Sequence, residues 1–167
     1  MNITLIRYRL KPETLDGELY IDGLKICDTA ENANGALPEG TYPITLLKCK
    51  QYSRKMILIC LEGSKVPKAQ SSSYETLEPE TLELKCSKCK KLECVNNNST
   101  LPQYCPMLKA GNGVYKRLDG SIILGTYICP GCLKLPKQAF DSVYDRLRKS
   151  AERGHQLTLT IKESYKQ

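Results

Sequence analysis

The sequence predicts an α+β, mainly β domain: a compact β-barrel-like or β-sandwich fold with one helix in its C-terminal half and a cysteine-rich, zinc-binding insertion. Three observations predict it. Short stretches of alternating apolar and polar residues recur at both ends of the chain. Only one stretch carries convincing helical spacing. Six of the nine cysteines crowd into residues 86–132.

The strands come first. Residues 2–9 (NITLIRYR) alternate, with Ile3 and Leu5 on one face. Residues 18–21 and 24–27 are two short strands joined at Asp22-Gly23, a pair that favours the positive-φ turn of a tight hairpin. Residues 32–38 form a turn-rich loop. Residues 42–48 and 55–61 (KMILICL) are further strands, the second well buried. Residues 63–81 are polar, broken by Pro and Gly and carry a Ser run, as an exposed excursion would. Residues 113–116 and 121–124 are short strands around a second Asp-Gly turn. Pro136 suits a first helical position, where its missing N–H costs nothing. Ala139, Phe140, Val143, Tyr144, Leu147 and Ala151 follow at helical spacing, and Gly154 fits the position just past the helix end. Residues 156–162 (QLTLTIK) close the pattern as a strand. The domain organisation is therefore a β-rich core from 1–62 and 106–167, with 63–105 as an exposed, cysteine-rich insertion.

Composition excludes several functions. The chain has 167 residues, 41% of them apolar, with no Trp, one Phe and ten Tyr. No apolar run approaches the ~18 residues of a membrane span. No signal peptide is visible at the N-terminus, so a cytoplasmic protein is expected. The one histidine, His155, rules out His-rich metal sites and paired-His mechanisms. Asp16, Asp22 and Asp28 sit near expected turns, where Asp is common for local hydrogen-bonding reasons.

Nine is an odd number of cysteines in a chain with no visible secretion signal, which disfavours a disulfide framework. Cys27, Cys49 and Cys60 stand singly in apolar strands and read as core residues. Cys86-Ser-Lys-Cys89 and Cys129-Pro-Gly-Cys132 are two C-x-x-C pairs, and two such knuckles complete a tetrahedral four-thiolate zinc shell. The 39 residues between the pairs exceed ordinary zinc-ribbon spacing, which weakens the match unless the segment between them is a folded part of the domain. Cys94 and Cys105 are substitute ligands or a second pair. A closed four-thiolate site has no open position for water, so it stabilises rather than catalyses.

The formal net charge of +7 is unevenly spread. Residues 1–84 carry 10 Lys and Arg against 12 Asp and Glu; residues 85–167 carry 15 against 6. The basic half includes Arg146, Arg148, Lys149 and Arg153 on the helix. A polyanion surface is one reading, with nucleic acid as a partner. The other is that lysines beside thiolates offset the charge of a metal centre. Aromatic residues for base stacking are not interleaved with the basic cluster.

Several stretches together resemble an uncharacterised bacterial and bacteriophage domain family of unknown function. They are LIRYRLKPETLDGELYIDG (5–23), CDTAEN (27–32), LPEGTYPI (37–44), KAGN (109–112), GSIILG (120–125) and the late helix followed by LTLTI. Family members carry Ile-His-x-Gly-Asn and then Gly-Cys-Ile-Leu-x-Gly, an arrangement similar to that of L,D-transpeptidases. The resemblance implies a compact β-rich domain and a place in a phage particle or its assembly. Here Lys109 stands at the His position and Ser121 at the Cys position. A Ser–Lys pair is chemically competent, so Ser121 with Lys109 is the one enzymatic constellation available, for a peptidoglycan-peptide hydrolase or transpeptidase. Without a base a Ser hydroxyl is a poor nucleophile. The primary expectation is a non-catalytic, zinc-stabilised binding domain with protein partners in a larger assembly; the hydrolase and a nucleic-acid-binding zinc module are its rivals.

Overall fold

The computed structural model describes residues 1–49, 54–61, 106–114 and 120–165. The elements are β1 (Asn2–Leu10), β2 (Thr14–Ile21), β3 (Leu24–Asn32), β4 (Gly40–Cys49), β5 (Arg54–Ile59), β6 (Met107–Ala110), β7 (Ile122–Cys129), β8 (Cys132–Lys134), α1 (Pro136–Glu152) and β9 (Thr158–Glu163). Strands dominate, as the alternation predicts.

Eight strands close into a barrel in the order β3-β2-β1-β9-β4-β5-β6-β7, and β3 pairs with β7 to seal it. Closure satisfies every strand edge within the sheet. Two of the pairings are parallel, β1 with β9 and β6 with β7; the rest are antiparallel. The Asp22-Gly23 turn joins β2 to β3, with φ of 49° and 83° at the two residues. β8 lies outside the barrel and pairs with the far end of β7.

One buried cluster fills the interior. It takes Ile3 and Leu5 from β1, Leu19 and Ile21 from β2, Ile57 and Ile59 from β5, Ile122 and Leu124 from β7, and Leu159 and Ile161 from β9. Each pair is two residues apart, the spacing that returns a strand side chain to the same face. α1 adds Val143, Tyr144 and Leu147 to this cluster. Pro136 opens the helix as predicted, although Leu135 before it supplies no side-chain cap. A second, smaller cluster of Ala30, Val114, Ile123 and Leu133 lies on the other side of the β3–β7 wall, with Tyr127 against it.

The face of β1 that carries Ile3 and Leu5 continues to Arg7, which is 1% exposed. Its Nε and Nη2 donate to Oε1 and Oε2 of Glu31 at 3.0 and 2.8 Å, and its Nη1 donates to Glu163 at 3.2 Å. Glu31 is equally buried. Burial pushes the Glu31 carboxyl above its ordinary range, and the bidentate Arg7 guanidinium opposes that push.

Several expectations need correcting. Met107–Ala110 forms a strand that four residues without clear alternation did not signal. The strand expected at 121–124 runs on to Cys129 and turns back as β8. Of residues 113–116, Gly113 makes a single bridge to Cys132, and residues 115–119 lie outside the described residues. Asp16 and Asp28 belong to strands rather than turns, and only Asp22 sits at one. The insertion expected at 63–105 lies outside the described residues. No described helix is long and apolar enough to cross a membrane.

Candidate functional site

Cys129 and Cys132 face each other across the turn that joins β7 to β8, as partners in the register. Pro130 and Gly131 form the turn, with Gly131 at φ 72°. Cys129 is exposed and Cys132 partly so. The neighbouring Cys132 side chain is the main cause that holds the Cys129 thiol above its ordinary pKa. The arrangement is a two-thiol knuckle on a short hairpin, open to solvent.

The hairpin is tied to the barrel by a carboxylate that sequence reasoning missed. The Gly131 N–H donates to Asp16 Oδ1 at 2.9 Å, and Asp16 is 0% exposed. Burial raises the Asp16 carboxyl above its ordinary range; the Gly131 N–H and the Arg9 charge oppose this. Arg9 Nη1 lies 3.6 Å from Asp16 Oδ2, its guanidinium sits 4.9 Å over the Tyr127 ring, and it donates to the Tyr127 hydroxyl. The Tyr127 N–H in turn donates to Asp28 Oδ2 at 2.8 Å. Asp16 and Asp28 therefore clamp the β7–β8 hairpin onto β2 and β3. Alternation could not reveal this clamp, because it places Asp16 on the face opposite the core residues Leu19 and Ile21, where a carboxylate is expected to meet solvent.

Gly131 also fits closely. A Cβ there would lie 2.5 Å from Thr14 Cγ2 and 3.1 Å from Val114 Cγ2. The knuckle position is thus set by contacts with β2 and with Val114, as well as by its own turn.

Cys86, Cys89, Cys94 and Cys105 lie outside the described residues, so two of the four predicted zinc ligands are placed. Among the described residues no group of three or more His, Cys, Asp or Glu side chains is arranged to hold a metal ion. The donor set at the hairpin, two adjacent soft sulfurs with an exposed outer side, fits half of a tetrahedral thiolate shell. Of the three expected core cysteines, Cys27 and Cys60 are buried. Burial pushes the Cys27 thiol up to about 12, which makes it inert. The Cys49 side chain lies outside the described residues.

Ser121 is 1% exposed, and its Oγ accepts the Met107 N–H at 3.2 Å. The hydroxyl thus stitches the start of β7 to the start of β6. Lys109 is registered with Ile123, two residues beyond Ser121. His155 lies elsewhere, past the end of α1, with Nδ1 3.2 Å from Ser150 Oγ. Ser121→Ala leaves the Met107 N–H without this acceptor and should lower stability by about 1–3 kcal/mol. Urea unfolding checks this, and an unchanged midpoint would show that the bond contributes nothing.

Comparison of the chain with family models, with curated proteins and with solved structures finds no match.

Proposed function

We propose that this protein is a non-catalytic binding domain stabilised by one zinc ion, with Cys86, Cys89, Cys129 and Cys132 as its four thiolate ligands. The observation that carries the reading is the Cys129–Cys132 hairpin: two thiols side by side, open to solvent, on a turn anchored by a buried carboxylate. Such an anchor presents the sulfurs in a fixed direction before any metal arrives, which lowers the ordering cost of binding it. When bound, zinc would cross-link the 63–105 segment to the β7–β8 hairpin, and the barrel would act as the frame. A four-thiolate shell is coordinatively closed, so its contribution is folding free energy rather than chemistry. The buried, hydrogen-bonded state of Ser121 fits a domain that works by binding. The family resemblance points to protein partners within a larger assembly, such as a phage particle.

Elemental analysis of the purified full chain should show about one zinc per molecule. Cys129→Ser should lower both the zinc content and the melting temperature, and chelation of the wild type should reproduce the thermal shift. A folded, metal-free wild-type protein with an unchanged melting temperature in the variant refutes the proposal.

A further inference from the structure

The basic residues of α1 do not form one surface. Arg148 pairs with Glu152 at 2.5 Å along the helix. Arg146, Lys149 and Arg153 form a separate stripe, because three- and four-residue steps stay on one side of a helix. None of these three makes an ion pair among the described residues. They line a cleft of about 690 Å³ together with Ser142 and His155, and Asp22 of the β2–β3 turn shares the lining with Met1.

The negative charges nearby are largely engaged. Asp22 Oδ1 accepts the Asn2 N–H at 3.0 Å. Asp145, also on the lining, lies 3.5 Å from Lys55 Nζ. The helix dipole explains cations in the last turn, which suits Lys149 and Arg153. It does not explain Arg146, nearly two turns from the helix end. Three unpaired cations converging on a concave surface form a site for concentrated negative charge.

We propose that this cleft binds a small anion carrying two or more phosphate groups. Its volume lies within the range of small-molecule sites, roughly 300–1,000 Å³. Three cations carry more positive charge than a single phosphate group neutralises, which favours linked phosphates. Guanidinium groups offer forked donors suited to phosphate oxygens. The lining contains no Phe, Tyr or Trp ring for base stacking, which disfavours a long nucleic-acid strand. This site is separate from the thiol hairpin and goes beyond the zinc reading.

Pyrophosphate titrated into the ¹⁵N-labelled full chain at low ionic strength tests the proposal. Saturable amide shifts should concentrate between Ser142 and His155 and at the β2–β3 turn. Arg146→Gln with Lys149→Gln should weaken binding at least about tenfold, because each charge-assisted contact carries roughly that factor. Arg148→Gln, off the stripe, should leave it unchanged. Absent or non-saturating shifts overturn the proposal, as does equal binding by the double variant. A single-stranded oligonucleotide that displaces pyrophosphate with far tighter affinity and a wider footprint would also overturn it in favour of nucleic acid. Cys129→Ser should bind pyrophosphate like the wild type while it remains folded, which separates this result from the zinc test.

Discussion

Arg7→Met should destabilise the barrel by about 3–5 kcal/mol at neutral pH, the range for breaking a buried ion pair by removing one partner. The variant keeps apolar bulk at the position but leaves Glu31 buried with no guanidinium. It also leaves Glu163 without its 3.2 Å contact. The pH dependence follows from the Glu31 carboxyl. Burial already raises it above its ordinary value, and the loss of Arg7 raises it further. A carboxyl whose folded pKa exceeds its unfolded value favours the fold fully below the unfolded pKa. That contribution is lost as pH rises through the folded pKa. The deficit of Arg7→Met relative to wild type should therefore be smallest near pH 4 and grow toward pH 7. Urea unfolding of both proteins across that interval reads it directly. A deficit constant with pH would show that lost packing, rather than a stranded charge, is responsible. Replacing both partners, Arg7→Met with Glu31→Leu, should recover much of the loss, because no unpaired charge then remains.

Gly131→Ala should cost about 2–4 kcal/mol, combining a left-handed backbone with an overpacked contact. Gly131 has φ 72°, and an added Cβ would meet the β-branched, buried Thr14 at 2.5 Å. Thr14 has little freedom to rotate away, so the hairpin must lift. Lifting stretches the Gly131–Asp16 hydrogen bond and displaces both thiols. Gly154→Ala is the matched control. Gly154 has φ 78°, and an added Cβ there has nothing within 4 Å. The control should cost only the backbone part, about 1 kcal/mol. The difference between the two variants isolates the contact with β2. If zinc binds at the hairpin, Gly131→Ala should also lower zinc affinity, while Gly154→Ala should not. Equal melting temperatures for the two variants would show that the hairpin is free of the barrel.

Period-two alternation made the strands visible, because each strand has one face in the core. It could not choose between barrel and sandwich. That choice rests on the β3–β7 and β1–β9 pairings, whose partners lie about a hundred or more residues apart. β6 was hidden because four residues are too few to show a period. Arg7 falls in register with Ile3 and Leu5, so its inward direction was written in the pattern. Its charge argued for the opposite face, and only the positions of Glu31 and Glu163 resolve the conflict. Asp16 was obscured differently: a carboxylate beside an expected turn has a local explanation, and the hairpin turn that covers it comes from more than a hundred residues later. The cysteine pair at 129 and 132 was legible from spacing alone, whereas the hairpin that presents it was not. Its pairing depends on a strand of three residues. The cleft was invisible in sequence because it forms between α1 and a turn more than a hundred residues earlier.

The parallel pairing of β1 with β9 has a consequence for synthesis on the ribosome. Asn2 emerges first, and its neighbour in the sheet, Thr158, follows 156 residues later. At ordinary translation speeds of roughly 5–20 residues per second, that delay is about 8–30 s. The β1–β3 meander has every local signal it needs to form early, yet one flank of β1 stays unpaired until the last strand arrives. Vectorial synthesis therefore leaves this barrel as an open sheet until β9 has been made. During that wait the unpaired flank of β1 is open to pairing with other chains, a hazard that the finished barrel no longer carries.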